Sequence, residues 1–130
     1  VGADVAVVIV SDEAHLPYDR PPLSKDVLHR DDHSFGDVTL KPREFYDDNN
    51  IELKLGSSVT SVDTAARSVT LADGSTVDYD ELVIATVLVP RRIPSFPDLP
   101  GIHVLRPYEE SQALRADAAA AMPRPYLSAT

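Results

Sequence analysis

The sequence predicts an α/β domain in which an antiparallel β-meander is inserted between two strands of a parallel sheet. Residues 5–10 (Val-Ala-Val-Val-Ile-Val) and residues 82–86 (Leu-Val-Ile-Ala-Thr) are almost wholly apolar, and many are β-branched. Strands that are apolar on both faces are typical of the interior of a parallel sheet, where both faces are covered. We therefore expect these two segments to be buried parallel strands that lie next to or near each other.

Two short helical patterns follow the first predicted strand. The first covers residues 22–28 and begins with a proline, a residue that is favoured in the first turn of a helix. The second covers residues 41–50, where Phe45 and Tyr46 supply the packing side and two asparagines end the pattern. Between the first strand and the first helix, three prolines predict an extended loop.

A β-rich region follows, over residues 51–79, and it contains the strongest local signal in the chain. Asp73-Gly74 lies between two alternating segments, residues 68–71 and 76–79, and this dipeptide is typical of a tight hairpin turn. We therefore predict that these two segments pair. A proline-rich connection follows residue 90, and residues 107–122, which are rich in alanine, predict a final helix.

Composition excludes several classes of function. The 130 residues carry a net charge of -9, which disfavours binding to nucleic acid or to an anionic membrane surface. The chain has no cysteine, so it carries no disulfide, thiolate zinc site or redox-active cysteine pair. No apolar run is long enough to span a bilayer. We expect a cytoplasmic protein with no membrane and no nucleic-acid partner.

The histidines show no spacing that predicts a metal site. None of the four is at ligand distance in sequence from another histidine or from a matching set of acids. We expect surface or loop positions for all of them, and no metal. They are His15, His29, His33 and His103.

Four sequence blocks carry a resemblance to a known family. They are residues 12–25, which include Arg-Pro-Pro-Leu-Ser-Lys, residues 71–86, residues 90–94 and residues 101–106. In this order and at this spacing they resemble the FAD-dependent ferredoxin and rubredoxin reductases of the pyridine nucleotide-disulfide oxidoreductase-like superfamily. The resemblance implies a partial FAD/NAD(P)-binding Rossmann-like domain over residues 1–114. Residues 115–130 would be a helical end and an irregular tail.

The resemblance also implies an activity. In the complete family, NADH or NADPH gives a hydride to FAD, and the flavin passes single electrons to a ferredoxin or rubredoxin-like iron-sulfur protein. The flavin does the chemistry while the protein binds and tunes it. No side chain of this chain is therefore predicted to be catalytic.

Six positions match cofactor-binding positions of the family. The resemblance implies that the Asp12 carboxylate binds ribose, that Lys25 lies beside the flavin and that Arg106 contacts the phosphate-ribose side. It also implies that the backbone of Val59 faces the adenine, and that Ala85 and Thr86 pass close to the cofactor. Five of these six residues, Ala85 being the exception, are then expected on one side of the domain.

Plainer interpretations stand beside these assignments. Asp12 is otherwise a solvated loop acid or a helix cap, Lys25 a surface lysine and Arg106 a charged residue that caps a linker. Val59 is a packed strand valine on either interpretation. Arg20 either helps to close the loop before Lys25 or pairs with a nearby aspartate on the surface.

The sequence departs from the family in three ways. No G-x-G-x-x-G motif occurs among the five glycines, so we expect these residues to lack the first strand and the glycine loop that hold the FAD pyrophosphate in the family. Val87 stands where the family has a glycine, and we expect no NAD domain within these 130 residues. We therefore expect weak FAD binding or none, and no reductase activity, from this chain alone. The alternative is a non-catalytic remnant or a small acidic binding domain.

Overall fold

The computed structural model describes residues 5–29, 34–86, 88–91, 93–95, 97 and 99–121. The chain divides into two compact units whose segments alternate along the sequence. The first unit comprises Val1–Tyr18 and Thr39–Thr86, and the second comprises Asp19–Val38 and Val87–Thr130. Among the described residues, every strand belongs to the first unit, and no helix is long and apolar enough to cross a membrane.

The first unit begins with a parallel crossover. β1 (Val7–Val10) pairs in parallel with β2 (Ile51–Lys54), so that Val7 lies opposite Ile51. The connection carries α2 (Arg43–Asp48), which packs on β2 and buries Tyr46. A parallel strand is confirmed within residues 5–10, although it covers only Val7–Val10. Its partner, however, is β2, a segment that the sequence pattern had assigned to the β-rich region after the helices.

A three-stranded antiparallel sheet follows, in the order β3 (Val59–Asp63), β4 (Ser68–Leu71) and β5 (Thr76–Asp78). The predicted hairpin is confirmed, since β4 and β5 pair around a turn in which Gly74 has φ +84°. This left-handed conformation favours glycine. The Asp73 carboxylate accepts hydrogen bonds from the hydroxyl and the N–H of Ser75, at 2.7 and 2.9 Å, and these bonds lower the pKa of Asp73.

The prediction of a second buried parallel strand at residues 82–86 is wrong. The segment forms no strand, and Val83 and Ile84 are 86% and 69% exposed. A strand requires a neighbour that accepts and donates its backbone hydrogen bonds, and none of the described strands pairs with this segment. The expected two-sided burial of the first strand is also wrong, because Val7 and Val8 are exposed. The apolar composition of residues 82–86 favours a strand, but none of the described strands lies beside the segment to pair with it.

The second unit is helical. A 3-10 turn (Pro21–Ser24) leads into α1 (Asp26–His29), and both pack against α3 (Tyr108–Ala121). Leu23, Val27 and Val38 are buried in this unit, and the ring of Phe35 meets the ring of Tyr108 edge to face, with 4.8 Å between centroids. The predicted final helix is confirmed within the described residues, and Met122, its expected last residue, lies outside them.

Candidate functional site

Asp12 and Val59 lie near the carboxyl end of β1 in the first unit. The Ser57 N–H donates to the Ser11 carbonyl at 2.7 Å, so the residue before Asp12 is tied to the turn that leads into β3. Val59 is the first residue of β3. This backbone hydrogen bond places the turn that leads to Val59 beside the carboxyl end of β1, the end of a strand near which ligands bind in open α/β sheets.

Gly56 shapes the turn between β2 and β3. Its φ is +67°, and its N–H donates to the Glu13 carbonyl at 2.9 Å. A side chain at this position would approach Ala14, whose Cβ lies 3.9 Å from an ideal Cβ built on Gly56. The conformation rather than the space therefore requires glycine, and it keeps the loop around Asp12 in place.

Both residues present groups that suit a nucleoside. The Asp12 side chain is exposed, and a carboxylate after a strand can accept hydrogen bonds from ribose hydroxyls. β3 is an edge strand of its sheet, and its register shifts between Val59 and Ser61. An edge strand has backbone N–H and C=O groups without a strand partner. Such groups suit the backbone contact that the resemblance assigns to Val59.

The structure does not place Ala85 and Thr86 at the end of a strand, as the sequence predicted. Both lie outside regular secondary structure and both are exposed. Within the described part of the chain, no hydrogen bond ties either residue to Asp12 or Val59. Val87, where the family glycine is replaced, lies outside the described residues. The assignment of Ala85 and Thr86 to the cofactor stays a prediction.

Lys25 lies at the end of the 3-10 turn in the second unit. Its N–H donates to the Pro22 carbonyl at 2.9 Å, and its side chain is exposed. Among the described residues, the Lys25 ammonium has no hydrogen-bond or ion-pair partner. The turn that carries it begins with two prolines, which fix φ at successive positions and hold Lys25 at a defined place.

Arg106 is held by its backbone rather than by its side chain. The Arg20 guanidinium donates from Nη1 to the Arg106 carbonyl at 3.2 Å. The Arg106 side chain is half-buried, and its guanidinium has no partner among the described residues. A guanidinium whose donors are unused is well suited to bind an anion.

His103 was missed by the sequence analysis as a structural residue. It lies in a loop, as expected, but its side chain is only 13% exposed and lies between two carboxylates. Nε2 is 2.7 Å from Oδ2 of Asp117, and Nδ1 is 3.5 Å from Oε2 of Glu110. The same Glu110 oxygen accepts the Val104 N–H at 3.1 Å. These contacts hold the segment before Arg106 against α3. A single histidine outside any motif gives no sign in the sequence of such contacts.

In the second unit, Lys25 and Arg106 are cations without a partner among the described residues, and a guanidinium suits phosphate oxygens. In the first unit, Asp12 offers an exposed carboxylate that can accept hydrogen bonds from hydroxyls. Their assignment to the cofactor stays a prediction. No cluster of acids and histidines in the described ranges could hold a metal ion. Whether five of the six assigned residues share one side of the domain stays a prediction.

A parallel β-α-β crossover followed by an antiparallel meander, with an acid after its first strand, defines part of a nucleotide-binding α/β domain. Residues 2–122 match the family model of the pyridine nucleotide-disulphide oxidoreductases, and the chain belongs to this family. The predicted fold class, a partial FAD/NAD-binding Rossmann-like domain, is confirmed by this match and by the solved structures that the chain resembles.

The similar proteins are named as reductases, and several of them are components of dioxygenase systems. The chain is 40% identical over 112 residues to the ferredoxin–NAD(+) reductase component of the p-cumate 2,3-dioxygenase system of Pseudomonas putida. That match covers 85% of this chain and 27% of the relative. Rhodocoxin reductase of Rhodococcus erythropolis is 37% identical over 119 residues, covering 91% of this chain and 28% of the relative.

Solved structures of ferredoxin-type reductases are similar to the chain in fold. A ferredoxin reductase from Rhodopseudomonas palustris superposes with a TM-score of 0.81 at 34% identity, over 90% of this chain and 29% of that one. The covalent putidaredoxin reductase-putidaredoxin complex gives a TM-score of 0.80 at 30% identity, over 86% of this chain and 28% of that one. The chain therefore spans less than a third of the length of these proteins.

Proposed function

We propose that this chain supplies part of the FAD-binding domain of an NAD(P)H-dependent ferredoxin-type reductase, with residues 1–114 in that domain. The observation that carries the proposal is the half-buried residue Arg106, whose guanidinium donors have no partner among the described residues. A phosphate group would satisfy those donors with charge-assisted hydrogen bonds. The 40% identity to a ferredoxin–NAD(+) reductase component supports the same assignment.

The chain's own residues would bind and orient the cofactor. FAD, when bound, accepts a hydride from NAD(P)H and delivers single electrons. Lys25 would place a positive charge beside the flavin and favour its anionic reduced form. Asp12 would accept hydrogen bonds from the ribose hydroxyls, and the Val59 backbone would face the adenine. Ala85 and Thr86 would lie along the cofactor through their backbone.

An iron-sulfur protein is the proposed electron acceptor. One relative is named rubredoxin-NAD(+) reductase, and one solved structure is a complex with putidaredoxin. We assign a ferredoxin or rubredoxin-like acceptor to the complete reductase on this basis, and a cytoplasmic location where NAD(P)H is available. No nucleic-acid or membrane partner is proposed, because the net charge of -9 disfavours both.

The test is an FAD titration of the purified chain by fluorescence quenching, with Arg106→Met beside the wild type. Arg43→Met is the matched control, because it removes one exposed arginine that pairs with Asp47. We expect weak saturable binding that Arg106→Met reduces and Arg43→Met does not. NADH-driven dye reduction is expected to be absent, since the 130 residues contain no glycine motif for a nicotinamide nucleotide.

Two results would contradict the proposal. Identical quenching curves for the wild type and Arg106→Met would remove Arg106 from the cofactor site. No quenching at any FAD concentration would favour the alternative, a non-catalytic remnant or a small acidic binding domain.

A further inference from the structure

His103 lies three residues before Arg106 and contacts a carboxylate of the last helix. Its side chain is 13% exposed, and its Nε2 is 2.7 Å from Oδ2 of Asp117. Among the described residues, Asp117 has no polar partner other than this ring. The contact therefore joins a loop residue near Arg106 to a point more than two turns into α3.

A second contact holds the same segment closer to the start of α3. Oε2 of Glu110 accepts the Val104 N–H at 3.1 Å and lies 3.5 Å from Nδ1 of His103. Glu110 and Asp117 are seven residues apart, which is almost two helical turns, so both lie on the same side of α3. One side of this helix thus holds His103 through its ring and Val104 through its backbone.

The chain around Arg106 is short and is fixed at both ends. Val104 is held on α3 two residues before Arg106, and α3 itself begins at Tyr108, two residues after it. Between Arg106 and Tyr108 lies Pro107, whose ring fixes φ. A segment held in this way limits the directions in which the Arg106 side chain leaves the backbone. A side chain that is oriented before binding loses less conformational entropy when a ligand arrives.

We propose that His103 is a positioning residue, whose contact with Asp117 orients the segment that presents the Arg106 guanidinium to the phosphate groups of a nucleotide. This inference rests on the proposed function of Arg106. His103 acts through the backbone of residues 103–106, and the group that meets the phosphate is the Arg106 guanidinium. On this account the negatively charged Asp117 strengthens the binding of an anion, which is opposite to the effect of its charge alone.

Substitutions of Asp117 separate the contact from the charge. Asp117→Ala removes both, whereas Asp117→Asn removes the charge and keeps an oxygen that can accept a hydrogen bond from Nε2 of His103. Simple electrostatics predicts that both variants bind a polyanion more tightly, since each removes a negative charge. We expect instead that Asp117→Ala lowers the affinity about threefold to tenfold, because the ordering cost rises. Asp117→Asn should stay within about twofold of the wild type.

The measurement is an NMR titration of the ¹⁵N-labelled chain with ADP, a probe that carries the ribose and two phosphates. Asp48→Ala is the matched control, because Asp48 is exposed and has no partner among the described residues. In each variant the amide signals of Leu23 and Val27, which are buried, show whether the second unit is folded. ADP affinity in Asp117→Ala that equals or exceeds that of the wild type would overturn the inference.

His103→Phe removes the same contact from its other side. The variant keeps an aromatic ring but has no nitrogen to meet Asp117. We expect a loss of ADP affinity like that of Asp117→Ala, and none in His29→Phe, the matched control at an exposed histidine. The double variant of His103→Phe with Arg106→Met should bind ADP no more weakly than Arg106→Met alone. Losses that add would show direct action of His103 on the ligand and overturn the inference.

Failure of the proposed function gives a different result. In that case the wild type and Arg106→Met would bind ADP equally or not at all, and the inference would fall with the proposal. If Arg106→Met alone loses affinity while Asp117→Ala and His103→Phe keep it, only the inference fails.

Discussion

Ser111 is fully buried in the second unit, and its hydroxyl makes a hydrogen bond that joins two elements of that unit. Its hydroxyl donates to the Leu23 carbonyl at 2.7 Å, which joins the first turn of α3 to the 3-10 turn before Lys25. Leu23 is itself 2% exposed. The Leu23 carbonyl therefore depends on this serine for a partner that water cannot easily replace.

Replacing Ser111 by alanine should destabilise the protein. A buried carbonyl left without its donor costs about 1–3 kcal/mol of the free energy of unfolding. Ser24→Ala is the matched control, since that hydroxyl is exposed and lies 3.3 Å from the Pro21 carbonyl. We expect the control to change stability by less than about 0.5 kcal/mol. Urea denaturation followed by circular dichroism measures the free energy of unfolding of both variants. Equal losses of stability would show that the buried hydrogen bond contributes no more than the exposed one.

Single residues were the hardest level to predict from sequence. Asp12, Lys25 and Arg106 were assigned to the cofactor because each stands in a motif that resembles a family, and this assignment stays a prediction. Ser111 and His103 stand in no motif, and their roles come from partners far along the chain. For Arg20 the sequence left two interpretations open, closure of the loop or a surface ion pair, and the hydrogen bond to the Arg106 carbonyl was not among the expectations. Long-range partners are set by the tertiary fold, which residue type alone does not encode.

Secondary-structure elements were predictable where their contacts are local. The hairpin around Asp73-Gly74 and the helix α3 depend on nearby residues, and both formed as predicted. The strand at residues 82–86 depends on a distant neighbour, and it did not form. The same reason explains β2, whose alternating pattern indicates a strand but does not reveal that its partner is β1.

Substitutions of valine test directly whether residues 82–86 are unpacked, as the structure shows. Val83→Thr should change the free energy of unfolding by less than about 0.5 kcal/mol, because Val83 is 86% exposed. Val69→Thr is the same substitution at a valine that is 5% exposed in β4. There the hydroxyl replaces a methyl group in the core, and we expect a loss of about 1–3 kcal/mol. A loss at Val83 as large as at Val69 would show that residues 82–86 are packed.

At the scale of the whole molecule, the family and fold class were recoverable from sequence because four motif blocks occur in order. The division into two units was not, because each unit is assembled from two separate segments. The chain spans less than a third of the length of these relatives. What it contributes, on our proposal, is one set of contacts to FAD.

The most direct test of that claim is to map FAD onto the chain by NMR. We titrate FAD into the ¹⁵N-labelled protein and follow the amide signals. The proposal predicts that the largest shifts fall on and beside the assigned residues, while the tip of the hairpin at Asp73 and Gly74 stays unchanged. Shifts confined to the hairpin, or scattered without any at the assigned residues, would contradict it. The assigned residues are Asp12, Lys25, Val59, Ala85, Thr86 and Arg106.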